Sequence, residues 1–402
     1  MQPNTAKGGD IRLKNASVAE EVALYYGFKP ARAPAVNRDD LHQAKILRAG
    51  ERRLVDEKTI VIRPEEQIAI LRLYEENNWH KEPQPIFLFF EGKFPGAAEH
   101  KNPRTFRRVR LDILGSSKSV CEAIIIKTAI EILIEEGFEN LYVDINSIGD
   151  KESFHCFNKD LGAYLRKRAG ELHGVCREKL KFDPLEALNC ENQKCQGVFG
   201  EAPKSISYLN EPSRKHFMEV LEFLESTGIP YRVNDQLVSN HEMACHTIFE
   251  VKSLNDETEQ NRALPLASGF RSNGLSKKVG WSRDIASIGI ALLYKGNGKN
   301  KKNLRFKKPK IYFVQIGFEA KLKSLKIIEM LRKIKVPLLQ ALSRDKLSAQ
   351  LATAENLKIP YTIIMGQKEA VENNVIIRDM SNRSQEVVKI EELPAYLKKL
   401  GI

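Results

Sequence analysis

Apolar positions along the first 150 residues switch between helical and strand spacing, and each switch marks an element. Val18 to Tyr26 carries an amphipathic helical pattern, and Thr59–Arg63 with Ile86–Lys93 predicts a pair of strands. Between Thr105 and Leu114 the apolar Phe106, Val109, Leu111 and Ile113 interleave with Arg and Asp, as in a strand with one face buried and the other in use. Gly115-Ser116-Ser117 ends that strand. A helix is predicted from about Ser119 to Glu136, stopped by Gly137, and Leu141–Ile145 gives the next strand.

Residues 151–228 are helical and charged, punctuated by Asp183-Pro184 and Ala202-Pro203, and read as an insertion between sheet elements. Strands resume at Tyr231–Val238 and Thr247–Val251, and Ile285–Leu293 is a last apolar segment before a basic Gly/Asn/Lys stretch at 294–310. That stretch reads as a linker. Beyond it strands at Ile311–Ile316, Leu338–Leu342, Tyr361–Met365 and Val375–Met380 alternate with helices at Glu319–Ile334, Asp345–Leu357 and Glu391–Leu400. This predicts a small α/β domain with a largely parallel sheet. The expected division is 1–293, a linker at 294–310, and 311–402.

With 402 residues, 42% hydrophobic and 29% charged, the chain has the composition of a soluble protein of two or three domains. Its longest apolar region is broken by Lys127 and flanked by Glu122 and Glu135, so no membrane span is expected. The first residues lack a signal-peptide layout, and six cysteines without framework spacing suggest reduced thiols and a cytoplasmic location. The net charge of +12 is concentrated in Lys295, Lys299, Lys301, Lys302, Arg305, Lys307, Lys308 and Lys310, a run containing no acid. Such a run suits a polyanion, while the plainer alternative is a solvated linker.

Several segments together carry a family resemblance. They are Leu111-Asp112-Ile113-Leu114-Gly115-Ser116, Asp144-Ile145-Asn146-Ser147-Ile148-Gly149-Asp150, Asp183-Pro184-Leu185, Ala202-Pro203-Lys204 with Tyr208-Leu209, Ile363-Ile364-Met365-Gly366-Gln367-Lys368-Glu369 and Arg378-Asp379-Met380. In this order, nearly collinear from Val18 to the end, they resemble the histidyl-tRNA synthetases, which are class II ligases. The resemblance implies an α/β and α+β chain: an antiparallel sheet domain with a helical insertion at about 151–228, then an anticodon-binding-like α/β domain. It also implies tRNA as partner, a homodimer with Pro34 as the motif 1 proline, and ATP with Mg2+ if the ligase reaction is kept.

The family's catalytic arginines are where the resemblance stops. The motif 2 arginine that clamps the ATP α-phosphate is replaced by Glu91 and the acid two positions later by Lys93. Ser239 stands for the arginine of a Leu-Val-Arg-Gly-Leu-Asp-Tyr-Tyr segment, and Gly296 for the motif 3 arginine. Loss of one preorganised donor removes roughly 2.7–4 kcal/mol of transition-state stabilisation, so three losses predict a chain without a catalytic set. A residual ligand pocket is expected from Arg63 and Glu65, which keep the start of an Arg-Pro-Glu-Gly-Thr motif, with Arg104, Arg108, Asp112 and Glu242. The alternative for Arg104, Arg107, Arg108 and Arg110 to a residual phosphate site is a solvated cationic strand face.

His173, Cys176, Cys190 and Cys195 resemble a four-ligand zinc set, but Cys190-x4-Cys195 is an imperfect spacing, and free thiols with no metal are the default expectation. Cys245 between His241 and His246 is expected to line the pocket rather than form a nucleophile–base pair. Three functions stay open at this point: a non-catalytic tRNA- or RNA-binding or regulatory protein needing no cofactor, a histidine-tRNA ligase with a rebuilt site, and a protein-interaction scaffold.

Overall fold

A computed structural model describes residues 11–47, 62–96, 106–188, 190, 192–238, 241–256, 263–296, 302–341 and 345–402. The strand β1 (Ile11–Ala16) precedes an eight-stranded sheet built from β2 (Lys29–Pro30), β3 (Ile86–Glu91), β4 (Phe106–Leu114), β5 (Leu141–Gly149), β6 (Tyr231–Val233), β7 (Cys245–Ser253), β8 (Ala267–Arg271) and β9 (Ser287–Lys295). Their spatial order is β2-β3-β4-β9-β8-β7-β5-β6. The central pairs are antiparallel, and only the marginal β2/β3 and β5/β6 pairs are parallel. The strand β10 (Lys302–Phe306) then returns to pair antiparallel with β1. The C-terminal domain holds β11 (Ile311–Gln315), β12 (Leu338–Gln340), β13 (Tyr361–Met365), β14 (Asn374–Asp379) and β15 (Gln385–Lys389), ordered β12-β11-β13-β14-β15.

Period-2 alternation decides which side of the large sheet does what. Val109, Leu111 and Ile113 of β4, with Ile288, Ile290 and Leu292 of β9, join the main hydrophobic core. Arg108, Arg110 and Asp112 are thereby turned to the opposite face. The helix Val120–Glu135 covers the apolar side, and 14 of its 16 residues are buried, so it has no solvent stripe to lose. Its outer side is closed by the C-terminal domain. Lys127, which interrupts the apolar run in sequence, bonds Glu131 at 2.8 Å and Glu329 of helix Phe318–Lys333 at 2.7 Å. Arg332 reaches back to Glu131 and, at 3.0 Å, to Glu135. Phe223 meets Phe318 edge-on at 5.2 Å.

On the sheet side the same helix offers Glu122 to the fully buried Arg271, whose Nε donates to it at 2.5 Å and whose Nη2 donates to its other oxygen. Arg271 also donates to the carbonyls of Ser116 at 2.9 Å and Lys118 at 3.1 Å, and His216 lies 2.7 Å from Glu122. One ion pair thus ties β8, the turn after β4, and helices Val120–Glu135 and Glu211–Ser226.

Four expectations need correction. Of the predicted strand Thr59–Arg63, residues 59–61 lie outside the described residues, and Ile62 and Arg63 lead into an unforeseen helix, Pro64–Glu76. Tyr231–Val238 is a strand only to Val233, because the chain then turns at Asn234–Leu237 through a 3.0 Å backbone bond. Within the expected linker, β9 runs on to Lys295 and residues 302–306 are a strand. The C-terminal sheet is mixed, since β13/β14 and β14/β15 are antiparallel.

The Glu122 cluster makes stability fall on acidification. Burial pushes the Glu122 carboxyl up, but Arg271 and His216 overcome it and hold it at about 2. His246, buried beside His216 and Arg271, is pushed down to about 4. Both lie below the ordinary values of 4.5 and 6.5, so the unfolded chain takes the proton first. Stability from His246 is expected to disappear between about pH 6.5 and 4, and that from Glu122 between about 4.5 and 2, each on the order of 2–3 kcal/mol at full extent. His246 sits at a φ of 52°, which asparagine tolerates, so His246→Asn should flatten the upper window of a urea-midpoint pH profile and leave the lower one.

Candidate functional site

The polar face of β4 lies beneath helix Pro64–Glu76, whose start is set by Arg63 as N-cap and Pro64 in the first turn. That first turn brings three buried polar residues, Glu65, Glu66 and Gln67, onto the sheet. Arg108 Nη2 donates to both Glu66 oxygens, at 2.9 and 2.6 Å. Arg110, 1% exposed, grips Asp112 with Nε at 2.8 Å and Nη2 at 3.0 Å, and also donates to Gln67 Oε1. Its guanidinium lies 5.5 Å from the Phe94 ring centroid and 3.8 Å from Glu66. Gln67 in turn donates to Ser272 at 3.2 Å and Ser287 at 3.4 Å, and those hydroxyls are 2.6 Å apart. The network is continuous from helix to β4 to β9.

Backbone shape follows the network. Gly289 of β9 pairs with Asp112, and a Cβ there would stand 2.6 Å from Asp112 Oδ1, so only glycine leaves room for the Arg110–Asp112 pair. Burial pushes the Asp112 carboxyl up while the bidentate contact with Arg110 pulls it back. Chemically the cluster is a set of charges that neutralise one another.

The structure brings four of the expected pocket residues to this region: Arg63 with Glu65 at 3.9 Å, and Arg108 and Asp112 in the network. Glu242 belongs elsewhere, 3.9 Å from His241, which bridges Asp183 at 2.5 Å and the Val238 carbonyl at 3.0 Å. Arg104 and Ser239 lie outside the described residues, as do Lys299 and Lys301. Glu91 ends β3 in solvent, and Lys93 is exposed beside it. Gly296 follows β9 with Arg107 close by: a Cβ at 296 would be 2.7 Å from Arg107 Nε. Glu66 and Gln67, which stand where the resemblance expects Gly-Thr, and Arg110, expected on a solvated strand face, are instead buried in this network. Their signal was three polar residues following Arg63-Pro64 in a row that hydropathy alone assigns to solvent.

Cys245 and His246 do not form a nucleophile–base pair. Burial pushes the Cys245 thiol up to about 11, and burial with neighbouring cations pushes His246 down to about 4, so both are held neutral. Among the basic-run residues, Lys295, Arg305, Lys307, Lys308 and Lys310 are exposed, and Lys302 lies in β10. The β1/β10 ribbon sets Arg12 opposite Arg305 and adds the exposed Lys14 to the same sheet. None of the described helices is long and apolar enough to cross a membrane.

An antiparallel sheet with parallel margins, a helical insertion and a mixed C-terminal domain define a class II synthetase-like architecture. Residues 310–400 match an anticodon binding domain. The chain is 26% identical to a histidine–tRNA ligase of Caldicellulosiruptor bescii over 399 residues, covering 94% of this chain and 92% of that one. It is 27% identical to that of Bacillus cytotoxicus over 402 residues, covering 94% and 93%. Its fold matches the crystal structure of apo S. aureus histidyl-tRNA synthetase at 22% identity with a TM-score of 0.51, over 94% of this chain and 93% of that one. Over nearly its whole length the chain is thus similar to histidyl-tRNA synthetases, with an anticodon binding domain at residues 310–400.

Glu66 is the test of the network. Glu66→Gln leaves Arg108 and Arg110 with a carboxylate too few and is expected to destabilise the protein by on the order of 3 kcal/mol, read from the urea midpoint. Titration calorimetry of the parent with ATP is expected to show at most weak binding, because Glu66 already accepts from Arg108.

Proposed function

We propose that this histidyl-tRNA synthetase-like chain binds tRNA without forming an aminoacyl-adenylate. The observation that carries the proposal is the internal pairing of Arg108 and Arg110 with Glu66, Gln67 and Asp112. Adenylate formation needs guanidinium groups directed at phosphate as charge develops. Here both guanidiniums face the chain's own acceptors, while Glu91 adds a negative charge where the resemblance expects a phosphate clamp. The donor set therefore does not fit a triphosphate with its Mg2+.

Two features support RNA as the ligand class. One is the anticodon-binding match over 310–400, and the other is the exposed cationic residues of β10 and its flanks immediately before it. Phosphate neutralisation by such residues releases counterions and makes binding steep in salt.

Pyrophosphate exchange with ATP and histidine is expected at background in the parent protein. It should stay there when Glu91→Arg, Ser239→Arg and Gly296→Arg are combined, because a side chain at 296 meets Arg107 and the network remains closed. Exchange above background in the parent would make the chain a ligase with a rebuilt site.

For RNA, raising salt from about 50 to 200 mM should weaken tRNA binding by at least about tenfold, with a shallower slope for the Lys301, Lys302, Lys307 and Lys308 to Ala variant. The full chain should prefer tRNA over an unstructured RNA of equal length. Equal binding of both RNAs by the full chain would leave only a basic scaffold.

A further inference from the structure

The helical insertion has its own small core, made of Phe157, Leu161, Leu165, Leu172, Leu185 and Phe199 among others. Two cysteines, Cys176 and Cys195, sit inside this core at 1% and 0% exposure. Neither is paired in a disulfide: their sulfurs are 3.7 Å apart, against about 2.05 Å for a bond. A third sulfur and an imidazole lie beside Cys176, while Cys195 is in contact with the group through Cys176. His173, Cys176 and Cys190 place one ligand atom each within 4.8 Å of one another.

We infer that His173, Cys176, Cys190 and Cys195 form a structural zinc site that staples the insertion. A tetrahedral Zn2+ with Zn–S bonds of about 2.3 Å sets its sulfurs about 3.8 Å apart, the separation seen between Cys176 and Cys195. An N/S3 donor set selects zinc over the hard oxygen-seeking cations. Backbone donors already face two of the sulfurs: the His173 N–H donates to Cys195 Sγ at 3.2 Å and the Asn192 N–H to Cys190 Sγ at 3.5 Å. Such donors stabilise thiolates more than thiols. His173, the N-cap of helix Gly174–Leu180, is exposed and closes the site from the solvent side.

Loading is balanced simply. Three S–H groups release their protons to solvent, the neutral imidazole keeps its N–H on the nitrogen that does not bind, and the site carries a net charge of −1. The ligands come from three separate segments: the start of helix Gly174–Leu180, the turn after helix Pro184–Ala187, and helix Gln193–Gly200. A single ion therefore cross-links an element too small to rely on apolar burial alone. The hydrogen bond from Gln196 Nε2 to the Cys190 carbonyl, 2.6 Å, holds the second and third segments in register without it. Imperfect spacing in the sequence, His173-x2-Cys176 and Cys190-x4-Cys195, is corrected by this folding of the chain.

The test uses the full-length protein, purified in a non-thiol reductant and measured by inductively coupled plasma mass spectrometry before and after loading with ZnCl2 and removal of excess. About one zinc per chain is expected, with Cys190→Ser and Cys176→Ser losing it. The exposed His173→Ala, which leaves the buried core intact, should give up its zinc to a chelator faster than the parent. Replacement by Co2+ should give the visible bands of a tetrahedral three-thiolate site, a signature independent of folding assays. Failure of the parent to retain zinc after loading overturns the proposal, as does a Cys176–Cys195 disulfide in non-reducing peptide mapping. Full zinc retention by Cys190→Ser overturns it too.

Discussion

A guanidinium withdrawn from water must meet a carboxylate, and in this chain the carboxylates are its own. Arg110 and Arg271 are both essentially fully buried, one on each side of the sheet's central strands, and each is held by two oxygens of a single acid. Removing one partner of such a pair costs about 3–5 kcal/mol, whereas the pair as a whole adds little beyond what apolar packing would supply. Their main effect is on geometry. Arg271 fixes where the helix Val120–Glu135 meets β8, and Arg110 fixes where helix Pro64–Glu76 meets β4.

The same constraint governs the chemistry. A phosphate-clamping arginine must be buried enough to act strongly and yet be left without a protein anion, a state that is stable only when substrate completes it. Here Glu66 and Asp112 stand beside Arg108 and Arg110 and accept from their guanidiniums. The replacements at 91 and 296 then act in the same direction: an exposed anion at Glu91, and at Gly296 no side chain where Arg107 now lies.

Much of the fold was legible. The interleaved pattern of β4, the helix from about Ser119 and the β-α-β order of the C-terminal domain all follow periodicities that burial enforces. Failures came where buried residues are polar. Helix Pro64–Glu76 opens with the buried polar residues Glu65, Glu66 and Gln67, so its first turn reads as solvent-facing although Ile68, Ala69, Ile70, Leu71 and Tyr74 are buried behind it. Lys127 looks like a break in an apolar segment because its partner, Glu329, is some two hundred residues away. The strand β10 hides in a basic run for a related reason: its ladder is closed by β1, at the opposite end of the sequence.

The partner of Lys127 explains why the two domains persist together. Helix Val120–Glu135 is apolar nearly all round, and exposing its outer face would uncover Lys127 and Glu131 in an otherwise hydrophobic surface. The C-terminal helix Phe318–Lys333 completes both charges through Glu329 and Arg332 while burying Leu325, Ile328 and Leu331. Separating the domains would leave charged groups without partners and apolar surface in water at the same time. The anticodon-binding-like domain is therefore part of the stability of the sheet domain. The contact between the two domains follows from packing and charge pairing alone.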